Sequence, residues 1–284
     1  VTRMADQLRL QNAVDIERGD TPLVLAFPHG SANLPAKVAQ CLNPTGQALA
    51  DTDWHIEQVY DGLAPGATRV KARFHRYVID ANRNPSGDSL YPGQNTTGLV
   101  PLTDFDGNPI WTQPPDRAEI QHRREQYHAL YHAALQAELD RIHALHGFVI
   151  LYDCHSIRSE IPFLFQGRLP DFNIGTNDGT TCAPALQTLV AQHCNLAAGY
   201  TTATNGRFKG GWTTRHYGRP DRGYHAIQME LAQSCYMQET PPWAWNDAQA
   251  DRLRAVLRPM LADMSALDMT QLQERPITHK ERQE

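Results

Sequence analysis

Apolar and polar positions along this chain fall into three patterns. The first is the unbroken apolar run. Leu23-Val24-Leu25-Ala26-Phe27 and Phe148-Val149-Ile150-Leu151-Tyr152 have no polar interruption. Such runs predict strands buried on both faces, as in a parallel sheet. The second pattern is alternation. Residues 68–80 set Val70, Ala72 and Phe74 between Lys71, Arg73 and His75, and residues 224–233 set Ile227, Met229 and Leu231 opposite Gln228, Glu230 and Ala232. Both read as strands, and residues 161–165 are a further candidate. The third pattern is helical spacing. It predicts helices over 47–62, 115–146, 183–193 and 242–267. The longest of these is opened by Pro114-Pro115, with Asp116 and Glu119 near the positive end, and closed by Gly147.

Between these elements lie three stretches rich in Gly, Pro, Asn and Asp, at 82–115, 168–181 and 204–221. Loops of this length are usually functional. The first carries Leu90-Tyr91, Leu99-Val100 and Ile110-Trp111, so an ordered loop packed over a site is expected. The charged tail from about 273 is expected to fray. The long helix feeds directly into the second apolar run, which is βαβ syntax with a right-handed crossover. Without repeat or linker, the expectation is a single α/β domain over 1–284.

Composition narrows the function more than the fold. The 284 residues are 41% hydrophobic and 20% charged, with a formal net charge of −5. A large core can form, and neither a nucleic acid nor a membrane surface is an expected partner. The first ten residues contain Arg3, Asp6 and Arg9 and no apolar core of a signal peptide, and the five cysteines lack C-x-x-C spacing. A cytoplasmic location is therefore expected.

Chemistry concentrates where the two apolar runs end. Phe27 is followed by Pro28-His29-Gly30-Ser31, and Tyr152 by Asp153-Cys154-His155-Ser156. In open α/β sheets the ligand crevice lies at the carboxyl ends of the strands. Two imidazoles delivered there begin a metal site, whose third ligand would be another His or a carboxylate. A lone histidine at a strand end is ordinarily a satisfied polar residue; the shared syntax is what raises the metal reading. The cluster Asp51, Asp53, His55 and Glu57 offers third ligands. Strand alternation puts Asp153 on the face of His155, as a support for it, and turns Cys154 into the core. Glu230, opposite the apolar face of its strand, is the best general base, although a structural ion pair would also explain it. Arg83, Arg207, Lys209, Arg215 and Arg219 sit in three turn-rich segments and would suit a substrate with two carboxylates. His128 and His132 share a helix face at i, i+4, but Ala129 stands where H-E-x-x-H needs its Glu; a solvated, histidine-rich surface is the expectation there. No G-x-S-x-G elbow or P-loop is present.

An ordered set of short motifs resembles the N-formylglutamate amidohydrolase family. They are Pro28-His29-Gly30-Ser31, Asp51-Thr52-Asp53-Trp54-His55, Tyr77-Val78-Ile79-Asp80-Ala81-Asn82-Arg83-Asn84, Asp153-Cys154-His155-Ser156-Ile157-Arg158-Ser159, Gly167-Arg168-Leu169-Pro170-Asp171, Asn205-Gly206-Arg207-Phe208-Lys209-Gly210-Gly211 and Gln228-Met229-Glu230-Leu231-Ala232-Gln233. One departure is His29-Gly30-Ser31, where many members read His-Ser-Gly. The resemblance implies a mixed, mostly parallel twisted sheet between helices, distantly similar to zinc carboxypeptidases (phosphorylase/hydrolase-like). It implies one divalent metal, zinc, on His29, Asp53 and His155, with Asp51 as the alternative to Asp53. It implies Glu230 as base and later acid, and Arg83 near the substrate carbonyl or carboxylate. Asn82, Arg207 and Arg215 are then candidates for substrate binding, with Asp153 and Ser156 supporting the ligands. The implied activity is hydrolysis of N-formyl-L-glutamate to L-glutamate and formate, the last step of a histidine degradation route. The alternative is a zinc-dependent deacylase or carboxypeptidase for another N-acyl amino acid.

Overall fold

The computed structural model describes residue 10, residues 13–88 and residues 97–273. Leu90-Tyr91 and the tail after 273 lie outside the described residues.

Among the described residues seven strands form one mixed sheet: β1 (Val14–Glu17), β2 (Leu23–Phe27), β3 (Thr68–Ala72), β4 (Val149–Ile157), β5 (Phe172–Gly175), β6 (Thr202–Thr204) and β7 (Tyr224–Ala232). Their order is β1-β3-β2-β4-β7-β5-β6. The central pairs β3/β2, β2/β4 and β4/β7 are parallel, as is β5/β6; β1/β3 and β5/β7 are antiparallel. The two unbroken apolar runs are adjacent central strands, buried on both faces. Leu23, Leu25 and Phe27 join one core cluster while Val24 and Ala26 join the other.

Each face is covered by helices. On one side α5 (Ala129–His146) packs Tyr131, Leu135, Leu139 and Ile142 against Val24, Val70 and Leu151. On the other, α6 (Pro184–Leu196) and α8 (Asp247–Ser265) pack Leu186, Val190, Leu253 and Leu257 against Leu25, Ile150 and Ile227. The remaining helices are α1 (Ala36–Cys41), α2 (Pro44–Gln47), α3 (Ile56–Val59), α4 (Arg117–Arg123), α7 (Trp212–Tyr217) and α9 (Met269–Gln273). Asp116 caps α4 by accepting from the Glu119 N–H at 2.8 Å, a π-helical turn at Arg124–His128 joins α4 to α5, and Gly147 ends α5 with φ 77°. Among the described residues, no helix is long and apolar enough to cross a membrane.

Three sequence expectations fail in instructive ways. Residues 47–62 are not one helix. The chain breaks after α2 and resumes at α3, with Leu49 and His55 in left-handed backbone at φ 51° and 59°. The intervening loop is held by tertiary partners instead of a helical ladder; the Asp53 N–H donates to the His29 carbonyl at 3.1 Å. The 68–80 strand stops at Ala72. Beyond it, His75 and Asp80 donate their N–H groups to the carbonyls of Asn33 and Leu99, and Phe74, Val78 and Ile79 are buried in a turn rather than a ladder. Residues 161–165 are a turn. The true partner of β7 on that side is β5, a four-residue strand inside the segment read as loop, where Asn173 and Gly175 hide the strand signal.

Candidate active site

The carboxyl edge of β2, β4 and β7 carries the chemistry. His29 lies two residues past β2. His155 lies inside β4, which runs further than the apolar pattern indicates. Glu230 sits opposite His155 in the β4/β7 register, so both side chains rise from the same face of the sheet.

Each imidazole leans on a carboxylate. His29 Nε2 is 2.7 Å from Asp80 Oδ1, and His155 Nε2 is 3.0 Å from Asp153 Oδ2. The opposite nitrogens converge on one oxygen: His29 Nδ1 is 3.9 Å and His155 Nδ1 3.3 Å from Asp53 Oδ2. One candidate ligand atom from each of His29, Asp53 and His155 lies within 4.8 Å of the others. His29 Nδ1 is buried with no hydrogen-bond partner among the described residues. A histidine fixed by a carboxylate on one nitrogen, with the other turned to a shared point, is the usual support of a metal ligand. The donor set fits a metal ion.

Electrostatics set the proton affinities of the cluster apart. Burial and the Arg76 guanidinium keep the His29 pKa below its ordinary value, so the ring is neutral. Burial opposes charge on His155, but Asp153 and Asp53 outweigh it and raise its pKa well above normal. Asp53 feels a burial cost too, which Arg76 overcomes by donating from Nη2 to Asp53 Oδ1 at 2.6 Å; its pKa ends below normal. The Ser156 N–H donates to Asp53 Oδ2 at 3.1 Å. Glu230 goes the other way: burial pushes it up to about 7. A carboxylate poised near neutrality is suited to exchange protons.

Asp51, the alternative ligand, points elsewhere. It accepts from the Tyr77 hydroxyl at 2.8 Å and from the Phe105 N–H at 3.0 Å, tying down the 105 loop. Cys154 joins the core cluster beneath the sheet.

Beside the cluster is a cavity of about 90 Å³. Its polar wall includes His29, His155, Glu230, Gln228, Arg76, Asn82, Arg83 and Arg207; Phe105, Ile157, Leu164 and Phe208 supply the apolar wall. Arg83 is steadied by donating to the Thr97 carbonyl and hydroxyl at 2.9 and 3.0 Å. The Arg207 guanidinium lies 5.3 Å from the Phe208 ring centre. Arg215, on α7, donates to the Gly210 carbonyl at 3.0 Å and does not line the cavity.

Asn82 is held from several sides. Its Nδ2 is 3.1 Å from His155 Nε2, and its Oδ1 accepts from the Thr213 N–H at 2.9 Å. The expected solvated histidines are in fact part of this arrangement. His132 and His128 are buried, with Nε2 atoms 2.7 Å from the Ala81 carbonyl and 3.0 Å from the Arg83 carbonyl. Helical periodicity put them on one face, but not toward solvent: the turn carrying Asn82 covers that face. Gly211 completes the fit, because a Cβ there would lie 2.3 Å from Asn82 Nδ2. Gly211→Ala is therefore expected to displace Asn82 and lower kcat/KM by roughly 10²-fold, the scale of a 1 Å misplacement, with the fold retained by circular dichroism.

Three residues of the site have no role in the sequence reading: Arg76, and Asp80 and Gln228, which it quotes only as members of motifs. Arg76 had a signal, since alternation places it with Val70, Ala72 and Phe74 on the apolar face. A cation there requires a buried anion, and Asp53 is that anion. Gln228 donates to Glu230 Oε2 at 3.1 Å while its own oxygen accepts from the Gly211 N–H at 2.7 Å.

A mixed α/β sheet thus carries a His/Asp/His cluster and a neutral-range carboxylate at its carboxyl edge, an arrangement chemically suited to hydrolysis. Residues 21–237 match the N-formylglutamate amidohydrolase family, and the chain belongs to that family. The N-formylglutamate deformylase of Pseudomonas aeruginosa is 43% identical over 260 residues, spanning 90% of this chain and 97% of that protein. The crystal structure of an N-formylglutamate amidohydrolase from Ralstonia eutropha superimposes with a TM-score of 0.75 at 27% identity, covering 89% of this chain and 97% of the other. A distant structural similarity extends to a metallo-carboxypeptidase from Burkholderia cenocepacia, with a TM-score of 0.31 and 14% identity over 92% of this chain and 67% of the other.

Proposed function

We propose that this chain hydrolyses N-formyl-L-glutamate to formate and L-glutamate, using a zinc ion held by His29, Asp53 and His155. Family membership supports the substrate. The observation that carries the metal is the buried, unpartnered His29 Nδ1 facing Asp53 beside a second imidazole. Two imidazoles and one carboxylate are a donor set of catalytic zinc sites, which keep one position open. When bound, the ion supplies Lewis acidity, polarising a carbonyl and making a water acidic near pH ~7.

The side chains do the rest. Glu230 takes the proton from the water that adds to the formyl carbon. As the C–N bond breaks, it returns that proton to the leaving amine, giving formate and the amino acid. Asp80 fixes the tautomer and orientation of His29 through their 2.7 Å hydrogen bond, and Asp153 lies beside His155 Nε2 at 3.0 Å. Arg83 and Arg207 meet the two carboxylates of the substrate, each by paired hydrogen bonds, and Asn82 orients the bound molecule. Arg215 acts at one remove, by holding the Gly210 carbonyl. The unpaired cysteines suit a reducing compartment, and we place the protein in the cytoplasm.

The test is metal analysis joined to a formate-release assay. Purified protein is expected to hold about one zinc per chain, as one three-ligand site implies. It should lose activity on chelation, recover it with zinc, and prefer N-formyl- over N-acetyl- and N-succinyl-glutamate. Full activity in metal-free protein overturns the metal reading; preference for the larger acyl groups overturns the substrate.

A further inference from the structure

We infer that Gln233 and Tyr236 are positioning residues of the metal centre, forming a polar clamp that fixes Asp53 against His155. The inference rests on the zinc reading above and deepens it.

Asp53 has a structural difficulty that the two histidines lack. His155 belongs to a central strand and His29 closely follows one, whereas Asp53 sits on the irregular loop between α2 and α3. The carbonyls on either side of it are captured by one segment. Gln233 Nε2 donates to the Thr52 carbonyl at 3.0 Å, and the Tyr236 hydroxyl donates to the Trp54 carbonyl at 2.8 Å. The same two side chains reach across to the residue after His155. Tyr236 Oη is 2.7 Å from Ser156 Oγ; because the phenol proton goes to the Trp54 carbonyl, the serine hydroxyl is the donor there. The second amide hydrogen of Gln233 points to Ser156 Oγ at 3.4 Å. Ser156 closes the circuit, since its N–H donates to Asp53 Oδ2.

A single turn after β7 therefore holds residues 52, 54 and 156, which border two of the three proposed ligands. Gln233 and Tyr236 are 1% and 0% exposed, and neither lines the cavity. They act through Asp53 and Ser156 and touch no substrate. In a dry interior such hydrogen bonds are strong and reinforce one another. His55, the left-handed residue two positions on, adds a tie to the same part of the chain, with Nε2 2.7 Å from the Trp243 carbonyl. Removing a supporting partner of a metal ligand usually lowers metal affinity ~10–100-fold.

Zinc affinity of the full chain, measured by competition with a chromophoric chelator, tests the clamp. Tyr236→Phe and Gln233→Leu each remove clamp hydrogen bonds while keeping much of the buried volume. Tyr60→Phe is the control: its hydroxyl, 3.1 Å from that of Tyr152, is equally buried but ties no ligand loop. Each clamp variant is expected to bind zinc about tenfold more weakly, with the control unchanged. Wild-type affinity in both clamp variants, or an equal loss in the control, overturns the clamp and leaves the zinc reading standing. A wild-type protein that takes up no zinc overturns the zinc reading itself. If Tyr236→Phe does not fold, Ser156→Ala, which deletes the shared hydroxyl, decides the same question.

Discussion

Glu230→Gln is expected to lower formate release by roughly 10²–10⁴-fold, the usual contribution of a positioned general base, with zinc content unchanged. The substitution is close to isosteric, and the amide oxygen can still accept from Gln228, so packing survives while proton transfer does not. The pH dependence follows from the same side chain. Burial raises Glu230 to about 7, and a base works only when deprotonated, so activity rises with pH as the proton leaves. A bound cation favours the carboxylate, which puts the acid limb of kcat/KM below pH 7 in zinc-loaded enzyme; the variant should lack that limb. The linkage has a second sign to check. A carboxyl group whose pKa is raised on folding binds its proton more tightly in the native state, so it costs stability as pH climbs from the unfolded value toward 7. Metal-free Glu230→Gln should therefore melt higher than metal-free wild type at pH 8. Near wild-type turnover by folded, zinc-loaded variant would remove Glu230 as the base.

Arg76→Met should give the largest loss of stability, and the size of that loss should depend on metal. Arg76 and Asp53 are 5% and 0% exposed and only 2.6 Å apart. Removing one partner of such a pair leaves the other charge buried and alone, at about 3–5 kcal/mol. In metal-free protein the other positive partner of Asp53 is the His155 imidazole, 3.3 Å away. A bound divalent ion would be a stronger partner than an imidazole, so the penalty should shrink with zinc. Thermal unfolding of both proteins, with zinc and with chelator, measures the difference. Equal destabilisation under both conditions would mean that zinc and Arg76 do not share Asp53.

What the sequence revealed and what it hid follow from how each residue meets its partners. β2, β4 and β7 were readable because burial on both faces leaves a local mark: unbroken apolar runs, or alternation with polar residues aimed at a site. Asp153 and Cys154 could be assigned to opposite faces from strand geometry alone. The loop carrying Asp53 could not be read, because its Leu49, Trp54, Ile56 and Val59 imitate a helix, and its true conformation is imposed by His29, Arg76, Ser156, Gln233 and Tyr236. The farthest of these bonds, from Tyr236 to Trp54, joins residues 182 positions apart. His128 and His132 were misread for the same reason, since only the tertiary fold covers their side of the helix. Choosing Asp53 over Asp51 needed the family motif, and the two carboxylates now differ plainly in what surrounds them.

The strand order also fits assembly from the N-terminal side of the sheet. β1, β3, β2 and β4 are contiguous in the sheet and all precede residue 158, so the N-terminal part of the chain holds all three proposed zinc ligands. β7 docks on the free edge of β4, bringing Glu230, and the turn that follows it brings Gln233 and Tyr236. During synthesis from the N-terminus, the ligands emerge first and the base last. A chain released early, after β4, would carry donors for a metal but no group to move a proton and nothing to steady Asp53. If the proposed zinc site and clamp hold, tight metal retention would be a late event, reached when β7 and the turn after it close over the edge of the sheet, and it would mark finished molecules from unfinished ones.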